Sequence, residues 1–174
     1  MKLSDFSKLI KLRLTFLVVF SASISFLIGS KVNGEIVWKN WLMLIAGGFL
    51  VTSAANCFNE IIEKDFDRLM KRTKDRPIPA GRMTTGQALV IGLFMAICGT
   101  YLLGQLNLTA GYLSVFSILL YAFAYTPLKR ISPAAVFVGA IPGALPPLIG
   151  YVAAHEKIES RQTFGKIILV PQEN

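Results

Sequence analysis

Charge is scarce in this chain, and cysteine and histidine are scarcer. Of 174 residues, 18 are Lys or Arg and 10 are Asp or Glu, 16% together, where a soluble domain carries about 25%. The two cysteines, Cys57 and Cys98, sit in separate apolar segments without C-x-x-C spacing. Neither a zinc knuckle nor a redox pair is indicated, and both read as small core residues. These shortages exclude a secreted disulfide domain, a disordered tail and a soluble nucleic-acid binder; no nucleic-acid partner is expected. What fills the space is apolar, at 53% of residues. Charge is missing altogether from 14–30, 40–59, 83–128 and 131–154.

A membrane-spanning helix needs about 20 apolar residues, so the 83–128 stretch has room for two and the chain for about five. The spans are expected near 14–29, from Trp38 toward Asn59, at 86–103, 108–125 and 134–154. Trp38 and Trp41 suit a headgroup anchor. The short link Gln105-Leu106-Asn107 makes the third and fourth spans antiparallel neighbours. Pro142, Pro146 and Pro147, with Gly139 and Gly143, point to a kinked and closely packed fifth span. Basic residues fall mainly on one side: four before the first span, seven from Lys64 to Arg82, and Lys129 with Arg130, thirteen of the 18. The positive-inside rule places those loops and the N-terminus in the cytoplasm, and the protein in the plasma (inner) membrane as a multi-pass, all-α helical bundle.

The chemistry concentrates at the end of the second span. Asn59, Glu63 and Asp67 are four residues apart, so on a helix each is turned only about 40° from the last and all three share a face. Two carboxylates at that spacing repel unless a cation lies between them. Mg2+ prefers oxygen donors and binds through one or two carboxylates plus substrate phosphates, so a phosphorylated ligand is implied. Arg68, Lys71, Arg72, Lys74, Arg76 and Arg82 follow at once, and arginine forks suit phosphate oxygens. A solvated, salt-bridged helix end explains the same charges equally well. Asp65 points away from the other two carboxylates and fits that plainer reading. Pro127 disfavours helical geometry at Thr126, so spacing alone does not make Tyr125 and Lys129 neighbours.

The run Asn59-x-x-x-Glu63-x-x-x-Asp67, followed by Met70-x-Arg72-Thr73-x-x-Arg76-Pro77-x-Pro79-x-Gly81, resembles the first acidic motif of the UbiA-type intramembrane prenyltransferases, and among them the protohaem IX farnesyltransferases (haem O synthases). Tyr125-Thr126-Pro127-Leu128-Lys129 resembles the Y-x-x-x-K element of that superfamily. Gly143-Ala144-Leu145-Pro146-Pro147-Leu148-Ile149-Gly150 resembles the haem O synthase G-A-x-P-P-x-x-G segment. The resemblance covers about residues 5–154. It implies a helical bundle around a cavity open to lipid, with Mg2+ as cofactor and farnesyl diphosphate and haem B as substrates. The product that the resemblance implies is haem O.

By the same resemblance Asn59, Glu63 and Asp67 hold metal and diphosphate, while Arg72, Arg76, Tyr125 and Lys129 steady the leaving diphosphate. Arg68, Lys74 and Arg130 join the expected substrate contacts. Glu63 stands where the superfamily usually has Asp, and the second acidic motif of its nine-helix members has no counterpart here. The expected layout is therefore residues 1–154 as the N-terminal part of a prenyltransferase-like domain and 155–174 as a non-matching tail, with little turnover by this chain alone. His155, at the far end of the fifth span, reads as a surface histidine, not a haem ligand. Two other readings stay open: polyprenyl transfer to an aromatic quinone precursor, and a non-catalytic membrane fragment.

Overall fold

The computed structural model describes residues 3–32 and 36–155; the expected tail lies, from 156 onward, outside the described residues. Among those described there is no strand. A short helix, α1 (Leu3–Leu9), precedes α2 (Leu12–Val32), α3 (Trp38–Leu69), α4 (Thr85–Leu106), α5 (Leu108–Leu128) and α6 (Ala135–Ala153). The last five are each long and apolar enough to cross a membrane, as the charge-free stretches require. Large apolar side chains point outward: Phe20 on α2, Phe94 and Ile97 on α4, and Phe137 on α6 are all more than half exposed. Lipid, not water, is the solvent that makes such a surface stable.

Helix α3 has 32 residues, or about 48 Å at 1.5 Å per residue, well over the roughly 30 Å of a bilayer core. Its polar end, from about Asn59 on, therefore stands at or beyond one membrane surface. Helix α4 opens with a reciprocal capping box: Gln87 N–H donates to Thr84 Oγ1 at 3.1 Å, and Thr84 N–H to Gln87 Oε1 at 3.0 Å. Asn107 alone joins α4 to α5, and its Oδ1 accepts from Thr109 N–H at 2.8 Å. One residue of connection forces the antiparallel pairing.

Neighbour packing closes a ring, α2 on α3, α3 on α4, α4 on α5, α5 on α6, and α6 back on α2. The last contact is extremely close. A Cβ on Gly150 would lie 2.0 Å from the Ala22 carbonyl oxygen, so only glycine fits there. Gly139 likewise faces the Tyr125 ring, where a Cβ would come within 2.7 Å. Gly143 differs from the close packing expected of it. It has open space before it because it lines a cavity of about 360 Å3 inside the ring, with Val18, Ala55, Asn56, Tyr121 and Tyr125.

One feature departs from the sequence expectations, and a second lies where they are silent. Pro127 does not interrupt the helix: Thr126 has φ −61° and ψ −44°, and Lys129 N–H bonds the Tyr125 carbonyl at 3.0 Å. The turn before it, Leu120–Tyr125, widens to a π-helix, and this extra residue per turn gives the proline ring room against the preceding carbonyls. The second feature is the break between α1 and α2. Lys11 has φ +49°, a left-handed conformation uncommon for a side chain of this kind. It is tied down from within: Asn56 Nδ2 and Thr15 Oγ1 both donate to the Ile10 carbonyl freed by the break, at 3.2 and 2.7 Å.

Candidate functional site

At the polar end of α3 the fourfold spacing acts as expected: Asn59, Glu63 and Asp67 are all buried and face one way, into the end of the bundle. The exposed Asp65 looks outward and pairs with Arg68 at 3.8 Å. Arg68 is thereby directed away from the three. Arg72 and Lys74 are also exposed and stand apart from them.

The cations that converge on the two carboxylates come from two separate places, the loop after α3 and the end of α5. Arg76 hydrogen-bonds directly to Asp67 Oδ2, and the same nitrogen is 4.0 Å from Glu63 Oε2. Lys129 Nζ is 2.7 Å from Glu63 Oε1, and Arg130 3.8 Å from the same oxygen. Arg130 also lies over the Phe66 ring, 4.0 Å from its centroid, and donates to the Ile62 carbonyl. Lys129 stands 5.5 Å from the centre of the Tyr125 ring. The helical partnership of Tyr125 and Lys129 is thus present in the geometry, because the π turn carries α5 through Pro127.

Loop 70–84 reaches the site by a defined route. Thr73 Oγ1 caps α3 by donating to the Asp67 carbonyl at 3.2 Å. The fully buried Glu60 accepts from Ile78 N–H at 3.1 Å and draws the Pro77–Pro79 segment against the helix. Gly81, at φ +72°, turns the chain so that Arg82 and Met83 N–H both bond the Pro77 carbonyl. These constraints leave Arg76 over the two carboxylates. Helix α1 is latched to the same loop, Arg82 to Asp5 at 2.8 Å and Lys8 to Asp75. The Lys8 hydrogen bond, then its charge and that of Arg82, hold the Asp75 carboxyl below its usual range.

Lys11 is the member that sequence reasoning missed. Its Nζ donates to Asn59 Oδ1 at 2.7 Å, and Asn59 Nδ2 donates to Thr126 Oγ1 at 2.9 Å. Thr126 spends its own proton on the Tyr121 carbonyl, at 2.8 Å, so its oxygen must accept from the amide and the amide oxygen must face Lys11. Burial first, and then the charges of Arg76 and Lys129, push the Lys11 ammonium down to about 8. No spacing in the sequence links residue 11 to residue 59. The one available signal was a lysine at the mouth of the first span.

Glu63, Asp67 and the Asn59 amide form an open oxygen set. Among the described residues no three His, Cys, Asp or Glu side chains gather to make a closed metal cage. Two carboxylates beside several cations fit Mg2+ held jointly with phosphate oxygens. Tyr125, its ring centre 5.5 Å from Lys129 Nζ, also lines the apolar cavity, whose volume is usual for small-molecule sites, about 300–1,000 Å3. A charged cluster adjoining an apolar hollow can take an amphiphile with an anionic head.

Comparison with known proteins identifies relatives of the chain. The chain is 45% identical over 147 residues to a protein named protoheme IX farnesyltransferase from Cytophaga hutchinsonii, covering 84% of this chain and 51% of that protein. It is 36% identical over 152 residues to the mitochondrial protoheme IX farnesyltransferase of Arabidopsis thaliana, covering 87% and 35%. A solved structure reported under digeranylgeranylglyceryl phosphate synthase in membranes superposes with a TM-score of 0.77 at 26% identity, over 87% of this chain and 53% of that one. The chain spans about half the length of the bacterial relatives it matches. The UbiA prenyltransferase profile matches residues 17–170, which takes in all three motifs and every span from the first full turns of α2 onward, and on that ground the chain belongs to the UbiA prenyltransferase family.

Proposed function

We propose that this chain carries the diphosphate-binding part of a protohaem IX farnesyltransferase, which moves the farnesyl group of farnesyl diphosphate to a vinyl group of haem B to give haem O. The observation that carries the reading is the pair of buried carboxylates, Glu63 and Asp67, ringed by Arg76, Lys129 and Arg130, with Lys129 beside the Tyr125 ring that lines an apolar cavity. The names of the relatives support the acceptor and the prenyl donor. Glu63, Asp67 and Asn59 are the residues that would hold Mg2+, which supplies charge stabilisation for the departing diphosphate.

The chain's own contribution follows from its charges. Arg76, Lys129 and Arg130 bind the anionic head and oppose the negative charge that grows on it as the allylic carbon–oxygen bond breaks. Tyr125, its ring held between Lys129 and Gly139, stands where head and hydrocarbon meet. The apolar walls below, with Val18, Ala55 and Pro142 among them, keep water from an allylic cation. Arg68, Arg72 and Lys74 lie outside this ring, and their contribution is long-range attraction of an anion to the membrane surface. The excess of basic residues at this end supports a plasma-membrane protein with the site and N-terminus on the cytoplasmic side. With one acidic motif in its 174 residues, the chain alone is expected to bind a prenyl diphosphate and turn over little.

The test is direct titration of purified chain with farnesyl thiodiphosphate, with and without Mg2+. Mg2+-dependent binding that is lost in Asp67→Asn is the expected result. Equal binding in EDTA, or full binding by Asp67→Asn, overturns the reading.

A further inference from the structure

We infer that Lys11 is a diphosphate-binding residue that shares the Asn59 amide with the metal: it holds Asn59 Oδ1 itself, and moves to a phosphoryl oxygen as a metal diphosphate enters. The inference rests on the site reading above and deepens it. Three observations carry it.

The first is placement. Lys11 comes from a break between two helices, not from the interior of one, and its left-handed backbone is secured by Asn56 and Thr15 through the Ile10 carbonyl. So costly a backbone conformation persists only where the surroundings over-determine it. Its side chain reaches 48 positions along the sequence to the first member of the acidic face. The second is orientation. The Asn59 amide is fixed by Thr126, whose hydroxyl proton is already committed to Tyr121. The oxygen under Lys11 is therefore the one a metal would need.

The third is charge. An ammonium and a divalent cation repel, and one amide oxygen does not serve both at close range. The charges of Arg76 and Lys129 oppose the Lys11 ammonium, and those of Glu63 and Glu60 favour it. A diphosphate arriving between these cations offers Lys11 a stronger acceptor than a neutral amide. Departure of the ammonium then frees Oδ1. The latch of α1 to loop 70–84 through Asp5–Arg82 and Lys8–Asp75 keeps the hinge beside the loop that carries Arg76.

The experiment uses the full 174-residue chain in detergent, with two probes: Mn2+ alone, followed by electron paramagnetic resonance, and inorganic diphosphate with Mg2+, followed by calorimetry. Lys11→Met is expected to bind Mg2+–diphosphate about tenfold or more weakly and Mn2+ alone several-fold more tightly. Lys11→Arg, which keeps the charge, is expected to retain diphosphate binding within about threefold. Lys39→Met, at the opposite end of the bundle, serves as the charge-matched control and leaves both affinities unchanged. Changes of one sign for both probes in Lys11→Met, or no change, overturn the inference while leaving the site reading intact. Failure of the unaltered chain to bind Mg2+–diphosphate overturns both.

Discussion

Replacing Arg76 by Met removes the cation that touches Asp67 and lies within 4.0 Å of Glu63. The side chains involved are 5% exposed for Asp67, 11% for Glu63 and 20% for Arg76, so water replaces little of the lost contact. Stripping one partner from a buried pair costs about 3–5 kcal/mol. The lower end applies here, because Glu63 keeps Lys129 at 2.7 Å and only Asp67 loses its counter-charge among the described residues. A loss of about 3 kcal/mol lowers Tm by about 6–12 °C in a chain of this size. Mg2+ can supply the missing charge between the two carboxylates, and at a hundred times its Kd it restores about 2.7 kcal/mol. Thermal unfolding of the detergent-solubilised protein, followed by intrinsic fluorescence in EDTA and in Mg2+, is the assay. The expected pattern is a large drop in EDTA and a larger Mg2+-induced recovery in Arg76→Met than in the unaltered chain. A Tm within about 1 °C of the unaltered chain in EDTA, or an equal response of both proteins to Mg2+, refutes the reasoning.

Gly150→Ala puts a methyl group 2.0 Å from a backbone oxygen that has no rotamer to change; the α2–α6 crossing must open, with an expected loss of about 1–3 kcal/mol seen as a lower Tm. Gly139→Ala pushes instead on the Tyr125 ring, so its expected effect is weaker binding of farnesyl thiodiphosphate in titration with a smaller change in Tm. Arg68→Gln removes a charge that faces Asp65 on the outer side of α3. Its diphosphate affinity, measured by calorimetry, is expected to fall far less than that of Lys129→Met, and a loss equal to that variant's would place Arg68 back among the binding residues.

Much of the bundle was readable because lipid imposes a coarse rule: charge-free stretches about a bilayer long become helices, and a link as short as that at Asn107 can only fold them back on one another. The acidic face was readable for a similar reason, since four-residue spacing on a helix is a local geometric fact. What escaped was produced by distant parts of the chain meeting. Lys11 reaches Asn59 only because the helix breaks at residue 11, and nothing in a lone lysine announces a left-handed backbone. Thr126 was passed over as a residue before proline, whereas the widened turn keeps it helical and aims its hydroxyl at Asn59. Arg68, Arg72 and Lys74 looked equivalent to Arg76 in a run of positive charge. Loop closure at Gly81 and the anchor at Glu60 select Arg76 alone from that run.

The widened turn at 120–125 has one further consequence. Each residue of an α-helix advances the side chains by about 100°, so the additional residue in this turn acts as a rotational index for everything that follows it. Folding the same six residues as an ordinary α-helical turn would leave α5 helical and still long enough to cross the bilayer. It would also swing Thr126, Lys129 and Arg130 through about a quarter of a revolution, taking two cations and the hydroxyl that fixes the Asn59 amide away from the site in a single step, with the apolar composition that holds the protein in the membrane unchanged.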